Sequence, residues 1–360
     1  MFRSWTNDQL VQWLKDRGVV VKGKKDKKHL VELGVASVQP GFSQQEIWRP
    51  MPKYIGITAD PSVDWTVHLE QHGWAVVTIP GLPVDAYLAA IQTWLSSFCP
   101  LVLNDARTWQ KKNAPYSLHG ILKSYIGSEA WLWDLRERCA PLYAAIYGTS
   151  ELLVSFDGAN ISLPGGEEKN WFHSDTMRGQ MGEVCYQGVV NLLHNGPDNG
   201  GLCLIDSSHL RLADYYARRP GEGINWGRID TEDPAFHGLP VYKICLLPGQ
   251  VAVWNSKVVH CAVPPKSGLR VAAYVSMRPK REATPKDLAD RVKWYESGRM
   301  TNHCGFGPYG KVESVHPWVH GRPKNPAPTH INVAPLNARQ CELVGYPSSV
   351  TSTPGKIIPV

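Results

Sequence analysis

The sequence lacks any uninterrupted apolar run long enough to cross a membrane. A transmembrane helix needs about 20 predominantly apolar residues, and no run approaching that length occurs in the 360 residues. The opening stretch, MFRSWTNDQL, also lacks the apolar core of a secretory signal peptide. These absences argue against a membrane-spanning or exported protein, and we expect an intracellular location, cytoplasmic or nuclear.

Paired cysteine motifs are absent as well. The eight cysteines are scattered, with no C-x-x-C spacing, so we expect reduced thiols rather than a disulfide framework. Hydrophobic residues make up 43% of the chain and charged residues 19%, a composition that predicts a sizeable folded core rather than disorder. The net charge of +6 is only weak support for an acidic partner.

Residues 1–34 are predicted to form a small helical module. The segment NDQLVQWLKDR has apolar residues at helical spacing, with a capping box at Thr6 and Gln9 and a stop at Gly18. A basic turn, VKGKKDKK, and a second short helix, KHLVELG, follow. Residues 35–60 are rich in proline and glycine, which predicts a linker.

Residues 61–320 are predicted to form the main domain, with a mainly β fold and flanking helices. The segments VDAYLAAIQTWLSSF and SEAWLWDLRERCAPLYAAIYG have the pattern of amphipathic helices. Short β-rich segments then dominate, before a late helix, TPKDLADRVKWYESG, capped by Thr284. This order favours a barrel or sandwich with helices packed outside. Residues 321–360 are predicted to be a Pro-rich tail that wraps or hangs free.

The segment WFHSDTMRG places His173 and Asp175 two residues apart. On an extended chain both side chains point to one face, where they can reach one metal ion, although for the pair taken alone a polar turn is the favoured interpretation. A third ligand is available in His260, within LPGQVAVWNSKVVH, and Arg270 follows ten residues later. Two histidines and a carboxylate form the facial triad of non-haem Fe(II) oxygenases. A guanidinium group can grip a carboxylate at two points.

Taken in order, WFHSD, NGPDNGGLCLIDSSH, LPGQVAVWNSKVVH and GLR resemble the phytanoyl-CoA dioxygenase family of Fe(II)/2-oxoglutarate oxygenases over residues 150–280. The resemblance implies a double-stranded β-helix core of the jelly-roll or cupin-like kind. It implies that His173, Asp175 and His260 are the catalytic ligands of Fe(II). It also implies that Arg270 binds the C5 carboxylate of 2-oxoglutarate and that Asn160 contacts this cosubstrate.

The sequence departs from the family pattern at two positions. Ala262 stands where some relatives have a small hydroxyl residue, and Gln250 replaces the usual acid after the turn glycine. The first departure leaves part of the carboxylate pocket unassigned, whereas the second affects a structural turn.

Residues 1–34 are in turn similar to SAP or LEM-like modules, which commonly bind DNA or chromatin. This second resemblance implies weak DNA binding by the N-terminal segment.

Three functions are therefore compared. The first is a 2-oxoglutarate-dependent dioxygenase that hydroxylates or otherwise oxidises a small-molecule or nucleic-acid substrate, releasing succinate and CO2. The second is a zinc hydrolase with the same triad, which has no need of Arg270. The third is a non-catalytic DNA- or chromatin-associated protein that uses the barrel as a scaffold. The first is favoured, and the substrate stays open.

Overall fold

The computed structural model describes residues 51–359, apart from residues 59, 61, 118–119, 123–125, 183, 220–227, 308–309 and 311–324. Of the first 50 residues it describes only Val11. The predicted module of residues 1–34 and the first part of the predicted linker therefore lie outside the described residues.

The described part of the chain is mainly β, with flanking helices. Its strands are β1 (Ile55–Ile57), β2 (Trp74–Thr78), β3 (Ile121–Leu122), β4 (Leu152–Val154), β5 (Ala159–Ser162), β6 (Tyr186–Asn191), β7 (Gly201–Ile205), β8 (Val241–Ile244), β9 (Gln250–Asn255), β10 (His260–Val263), β11 (Arg270–Pro279), β12 (His330–Val333) and β13 (Lys356–Pro359). Its α-helices are α1 (Trp65–His72), α2 (Val84–Ser96), α3 (Ala130–Tyr147), α4 (Leu212–Arg218), α5 (Pro285–Glu296) and α6 (Ala338–Val344).

Two sheets form the centre of the molecule. The larger has the order β2-β9-β6-β11-β5-β3, with β4 also paired to β11, and the smaller has the order β1-β8-β7-β10. Pairing within them is antiparallel, except that β1 runs parallel to β8. Val189 and Trp254 of the larger sheet share a buried apolar cluster with Leu204 of the smaller. The two sheets therefore pack face to face, as a jelly-roll core requires.

The helices cover the outer side of the larger sheet. Helix α3 contributes Trp133, Leu135 and Tyr143 to the main core cluster, and the Tyr143 hydroxyl donates to the Val275 carbonyl of β11. Helix α5 begins with the predicted cap, because the Thr284 hydroxyl accepts from the Asp287 amide. These contacts pack the helices against one face of the larger sheet, and the opposite face packs on the smaller sheet.

The C-terminal residues correct the expectation of an irregular tail. Strands β12 and β13 pair antiparallel, and helix α6 lies between them in the chain. Ile331, Leu343 and Val344 are fully buried in the main core. The buried Arg291 guanidinium of α5 donates to the carbonyls of Val344 and Leu343, which ties α6 to the domain. The segment has short apolar stretches rather than a repeating pattern, so its packing depends on contacts with distant parts of the chain.

The end of the predicted linker is also part of the sheet. Residues Ile55–Ile57 form β1, an edge strand that pairs with Tyr242–Ile244 of β8. A strand of three residues is too short to show a period in the sequence, and its partner lies far away in the chain.

None of the helices in the described ranges is long and apolar enough to cross a membrane.

Candidate metal centre

Backbone pairing brings the two halves of the candidate site together. His173 and His260 form an isolated antiparallel bridge, in which each amide donates to the other carbonyl at 2.9 Å. The Asp175 amide donates to the Ser256 carbonyl at 3.2 Å. The H-x-D segment therefore runs beside the turn and strand that carry His260, although the two histidines are 87 positions apart in the chain.

The three predicted ligands converge. One ligand atom from each of His173, Asp175 and His260 lies within 4.8 Å of the other two. His173 Nε2 is 3.8 Å from Asp175 Oδ1, and His260 Nε2 is 3.4 Å from Asp175 Oδ2. Two imidazole nitrogens and one carboxylate at these separations can share a single metal ion, and they leave the other side of that ion open.

Both imidazole rings are oriented through their second nitrogen. His173 Nδ1 lies 3.2 Å from the Trp171 carbonyl oxygen, and His260 Nδ1 lies 2.9 Å from that of Val258. A carbonyl oxygen only accepts, so Nδ1 carries the proton in each ring and Nε2 presents its lone pair towards Asp175. The Trp171 indole stacks on the His173 ring at 4.8 Å, with 13° between the planes.

The electrostatics favour metal-binding protonation states. Burial, with repulsion from His260, lowers the pKa of His173 to about 4, so this imidazole is neutral near pH 7. Burial acts to raise the pKa of Asp175, but His303 and the two ligand histidines hold it well below its usual range. A neutral imidazole and an ionised carboxylate are the forms that coordinate metal.

Two further side chains act on Asp175. Gln187 Nε2 donates to Asp175 Oδ2 at 2.7 Å. Burial by itself would lower the pKa of His303, but the Asp175 carboxylate and the Cys304 thiolate raise it to about 10. Neither residue was predicted as a partner of Asp175. From the sequence, Gln187 is equally compatible with a substrate-facing and a structural role, and His303 with a lid over the site and an ordinary loop.

A cavity of about 650 Å3 opens beside the triad. Trp171, which stacks on His173, forms part of its wall, as does Ala262, two residues after His260. The predicted cosubstrate residues Arg270 and Asn160 also line it. The structure therefore brings the three predicted ligands together, and it places Arg270 and Asn160 on a cavity that reaches the triad through Trp171.

Arg270 is buried at the edge of this cavity. It is the first residue of β11 and only 5% exposed, and its buried Nε has no hydrogen-bond partner in the part of the chain that the structure describes. Gly201, with φ 113°, approaches closely: a Cβ added there would lie 3.3 Å from Arg270 Nε. A buried guanidinium without an acceptor is costly unless a ligand supplies one.

Asn160 lies on β5, next to Arg270 across the strand pair. Arg270 is in register with Ser162, and Asn160 with Ala272. The Ser162 hydroxyl donates to Asn160 Oδ1 at 2.7 Å, which fixes the orientation of the amide. The two polar groups thus face the same cavity from neighbouring strands.

Comparisons with known proteins reveal similarity to biosynthetic and oxygenase proteins. No protein-family model matches the chain. It is 29% identical over 262 residues to "Ava biosynthesis cluster protein O" of Aspergillus versicolor, covering 67% of this chain and 85% of that protein. It is 30% identical over 95 residues to a Dictyostelium discoideum protein named "Putative phytanoyl-CoA dioxygenase", covering 26% of this chain but only 27% of that protein.

Solved structures with similarity to the chain include the epimerase SnoN in complex with Fe3+, alpha ketoglutarate and nogalamycin RO. The TM-score is 0.43 and the sequence identity is 15%, over 60% of this chain and 82% of SnoN.

Proposed function

We propose that this protein is an Fe(II)/2-oxoglutarate-dependent dioxygenase that oxidises a small-molecule substrate, with release of succinate and CO2. One arrangement carries the proposal: the triad of His173, Asp175 and His260 adjoins a cavity in which Arg270 Nε is buried without an acceptor among the described residues. A metal triad alone would suit several reactions. The added guanidinium is the feature that an enzyme of this class needs and that a zinc hydrolase does not.

The donor set fits Fe(II). His173 and His260 would contribute Nε2 and Asp175 one carboxylate oxygen, while Gln187 holds the other carboxylate oxygen. An Fe(II) ion held there would supply the redox chemistry that couples decarboxylation of 2-oxoglutarate to oxidation of a substrate C–H bond. The protein's own contribution is to keep His173 neutral and the Asp175 carboxylate ionised, and to orient both imidazole rings through their Nδ1 atoms, in a buried setting that restricts water.

The cavity fits a dicarboxylate. Arg270 would bind the carboxylate of 2-oxoglutarate that lies far from the metal, since a guanidinium pairs with a carboxylate through two parallel hydrogen bonds. Asn160, held by Ser162, would contribute a polar contact from the adjacent strand. The cosubstrate would thus span from the triad to β11.

The substrate that we propose is a small molecule of a biosynthetic pathway. The cavity volume of about 650 Å3 lies within the range of small-molecule sites, about 300–1,000 Å3. The relative that covers 67% of this chain is named for a biosynthesis cluster. DNA binding by residues 1–34 is a separate proposal, which concerns where the enzyme acts rather than its chemistry.

The decisive experiment measures succinate. The metal-free protein is loaded with Fe(II) and 2-oxoglutarate without oxygen, exposed to air, and assayed for succinate against a panel of amino acids, acyl thioesters, aromatic metabolites, nucleosides and DNA. We expect succinate formation that rises with one class of small molecule. His173→Ala, Asp175→Ala and His260→Ala should each abolish it.

His237→Ala is the matched control, because His237 is exposed and its Nε2 lies 3.0 Å from the Glu232 carbonyl oxygen, outside the site. It should retain full activity. If the wild-type protein formed no succinate with Fe(II) but hydrolysed esters or amides with Zn(II), the hydrolase would replace our proposal. If neither metal supported turnover and the three ligand variants bound Fe(II) as tightly as the wild type, the triad itself would be wrong.

A further inference from the structure

Two cysteines meet behind the candidate metal centre. Cys185 lies immediately before β6 and is buried, whereas Cys304 is partly exposed in an irregular segment after α5. Each thiol affects the pKa of the other, so the two groups lie within interacting range. Cys185 Sγ also lies 3.8 Å from the carbonyl oxygen of His303, the residue before Cys304. The two thiols are thus neighbours in space, although 118 residues of chain separate Cys185 from His303.

One side of this pair is held firmly. The Cys185 amide donates to the Ser256 hydroxyl at 3.2 Å, and the Ser256 amide donates to the Cys185 carbonyl at 2.8 Å. The Ser256 carbonyl in turn accepts from the amide of Asp175. Cys304 lies in a turn in which the Gly305 amide donates to the Asn302 carbonyl and the Phe306 amide to the Cys304 carbonyl. The residues after Cys304 are also held from outside the turn, because Arg291 Nη1 donates to the Gly305 carbonyl at 3.0 Å.

Positive charge lies beside the pair. The Arg278 guanidinium of β11 attracts the thiolate form of both cysteines, and it is held in place by Glu282 and by the ring of Phe306, 4.5 Å from its Cζ. The hydrogen bond from Cys185, followed by the charges of His303 and Arg278, lowers the pKa of Cys304 against the effect of burial. Of the two cysteines, Cys304 is therefore the better nucleophile, and Cys185 is placed to react with it in a second step.

We propose that Cys185 and Cys304 form a reversible redox site that hydrogen peroxide converts to an intramolecular disulfide. Cys304 sulfur attacks one peroxide oxygen, the O–O bond breaks, and the products are a sulfenic acid and water. Cys185 sulfur then attacks the sulfenic sulfur, the S–O bond breaks, and a second water leaves. Two thiols lose two electrons and two protons, and one peroxide is reduced to two waters.

The expected movement lies in the turn rather than in the sheet. A disulfide has an S–S length of about 2 Å, so oxidation must draw the sulfurs closer than hydrogen-bond contact. Because Ser256 holds the backbone of Cys185 and Arg291 holds the carbonyl of Gly305, the adjustment falls on Cys304 itself and on the residues before it in the turn. The bond would fasten the segment that carries His303 to the start of the strand that carries Gln187, and both of these residues contact or attract Asp175.

The same chain contains a matched control. Cys203 of β7 and Cys261 of β10 are register partners across the smaller sheet, and Cys203 contributes to the pKa shift of Cys261. Both are fully buried in an apolar cluster, and burial raises the pKa of Cys261 well above its usual range. Proximity is therefore common to the two pairs, whereas partial exposure distinguishes Cys304 from the fully buried Cys203 and Cys261.

The test is peptide mapping of the reduced, metal-free full chain after stoichiometric hydrogen peroxide. We expect two thiols per chain to disappear, a peptide linking Cys185 to Cys304, and full recovery with dithiothreitol. Before oxidation, iodoacetamide should modify Cys304 at least about tenfold faster than Cys261, because the thiolate is the reactive form. Cys185→Ser should leave a sulfenic acid on Cys304 that dimedone traps, and Cys261→Ser should leave the cross-link unchanged.

Three outcomes would overturn the proposal. The first is a Cys203–Cys261 link in place of the expected one. The second is a Cys304 sulfenic acid that accumulates in the wild type without any link. The third is equal reactivity of Cys304 and Cys261 towards iodoacetamide. The mapping of the wild-type chain decides between these results without depending on how any variant folds.

Discussion

Replacement of Arg270 tests the central contact of the proposed cosubstrate site. The guanidinium is buried on β11, its Nε has no acceptor in the described part of the chain, and it faces the cavity next to the triad. Arg270→Ala should weaken the binding of 2-oxoglutarate strongly and leave Fe(II) binding nearly unchanged, because none of the three metal ligands contacts the guanidinium through a hydrogen bond or ion pair.

The expected size follows from the burial of the pair. Removing one partner of a buried ion pair costs on the order of 3–5 kcal/mol, and about 1.4 kcal/mol corresponds to a tenfold change in affinity. Because water enters the cavity when it is empty, the lower end of this energy range applies. We therefore expect the affinity for 2-oxoglutarate to fall by roughly 100-fold. Arg270→Lys keeps the charge but loses the two-point fork, so its loss should be intermediate.

The assay pairs the variant with a truncated ligand. 2-Oxopentanoate has the same chain length as 2-oxoglutarate but lacks the distal carboxylate. Dissociation constants of both acids for the Fe(II)-loaded wild type and Arg270→Ala complete a double-mutant cycle, measured by calorimetry without oxygen. The wild type should prefer 2-oxoglutarate by roughly 100-fold, and the variant should bind the two acids about equally.

Lys111→Ala is the control for general electrostatics, since Lys111 places an exposed positive charge on the same cavity. It should change 2-oxoglutarate affinity by less than about threefold, as screened surface charges do. An Arg270→Ala protein that still preferred 2-oxoglutarate as the wild type does would refute the assignment of the distal carboxylate. So would equal losses in Arg270→Ala and Lys111→Ala.

Three further predictions follow from single contacts. Gln187→Leu should weaken Fe(II) affinity by about 10- to 100-fold, because it removes the hydrogen bond that orients Asp175; unchanged affinity in an anaerobic titration would contradict this. Burial acts to raise the pKa of Asp233, but the Ala235 amide and the guanidinium groups of Arg218 and Arg219 lower it to about 2. The ionised Asp233 carboxylate therefore stabilises the folded state above about pH 4, and this stabilisation is lost as the pH falls towards 2. Acid-unfolding curves of Asp233→Asn and wild type should therefore converge over that window, and parallel curves would disprove it. Residues 1–34 contain eight basic and four acidic residues, and their deletion should abolish salt-dependent DNA binding but not small-molecule turnover. If the shortened protein still bound DNA as the full chain does, residues 1–34 would not be the DNA-binding element.

Several features of this protein could be predicted from the sequence because they depend on neighbouring residues. The start of α5 follows from Thr284, Pro285 and Asp287, which satisfy the first turn by themselves. The turn before β9 follows from Gly249, which has φ 83°. The mainly β class with flanking helices is confirmed for the same reason, since the period of apolar residues is a local property of each strand and helix.

The candidate ligands were also visible, but only as a set of residue types in order. The two-residue spacing of His173 and Asp175 is local, whereas the approach of His260 rests on the backbone bridge with His173. A motif could suggest that bridge through resemblance, but it could not show which nitrogen faces inward. The carbonyls of Trp171 and Val258 settle that orientation in the folded chain.

Only the tertiary structure revealed what surrounds the triad. Gln187 reaches Asp175 because β6 lies between β9 and β11 in the larger sheet, and no local pattern encodes that strand order. The C-terminal residues were predicted as a tail, yet Ile331 and Leu343 are fully buried, because their partners lie on elements far away in the chain. Capping, turns and periodicity act over a few residues and are written in the sequence, whereas burial and side-chain contacts arise only when distant segments pack together.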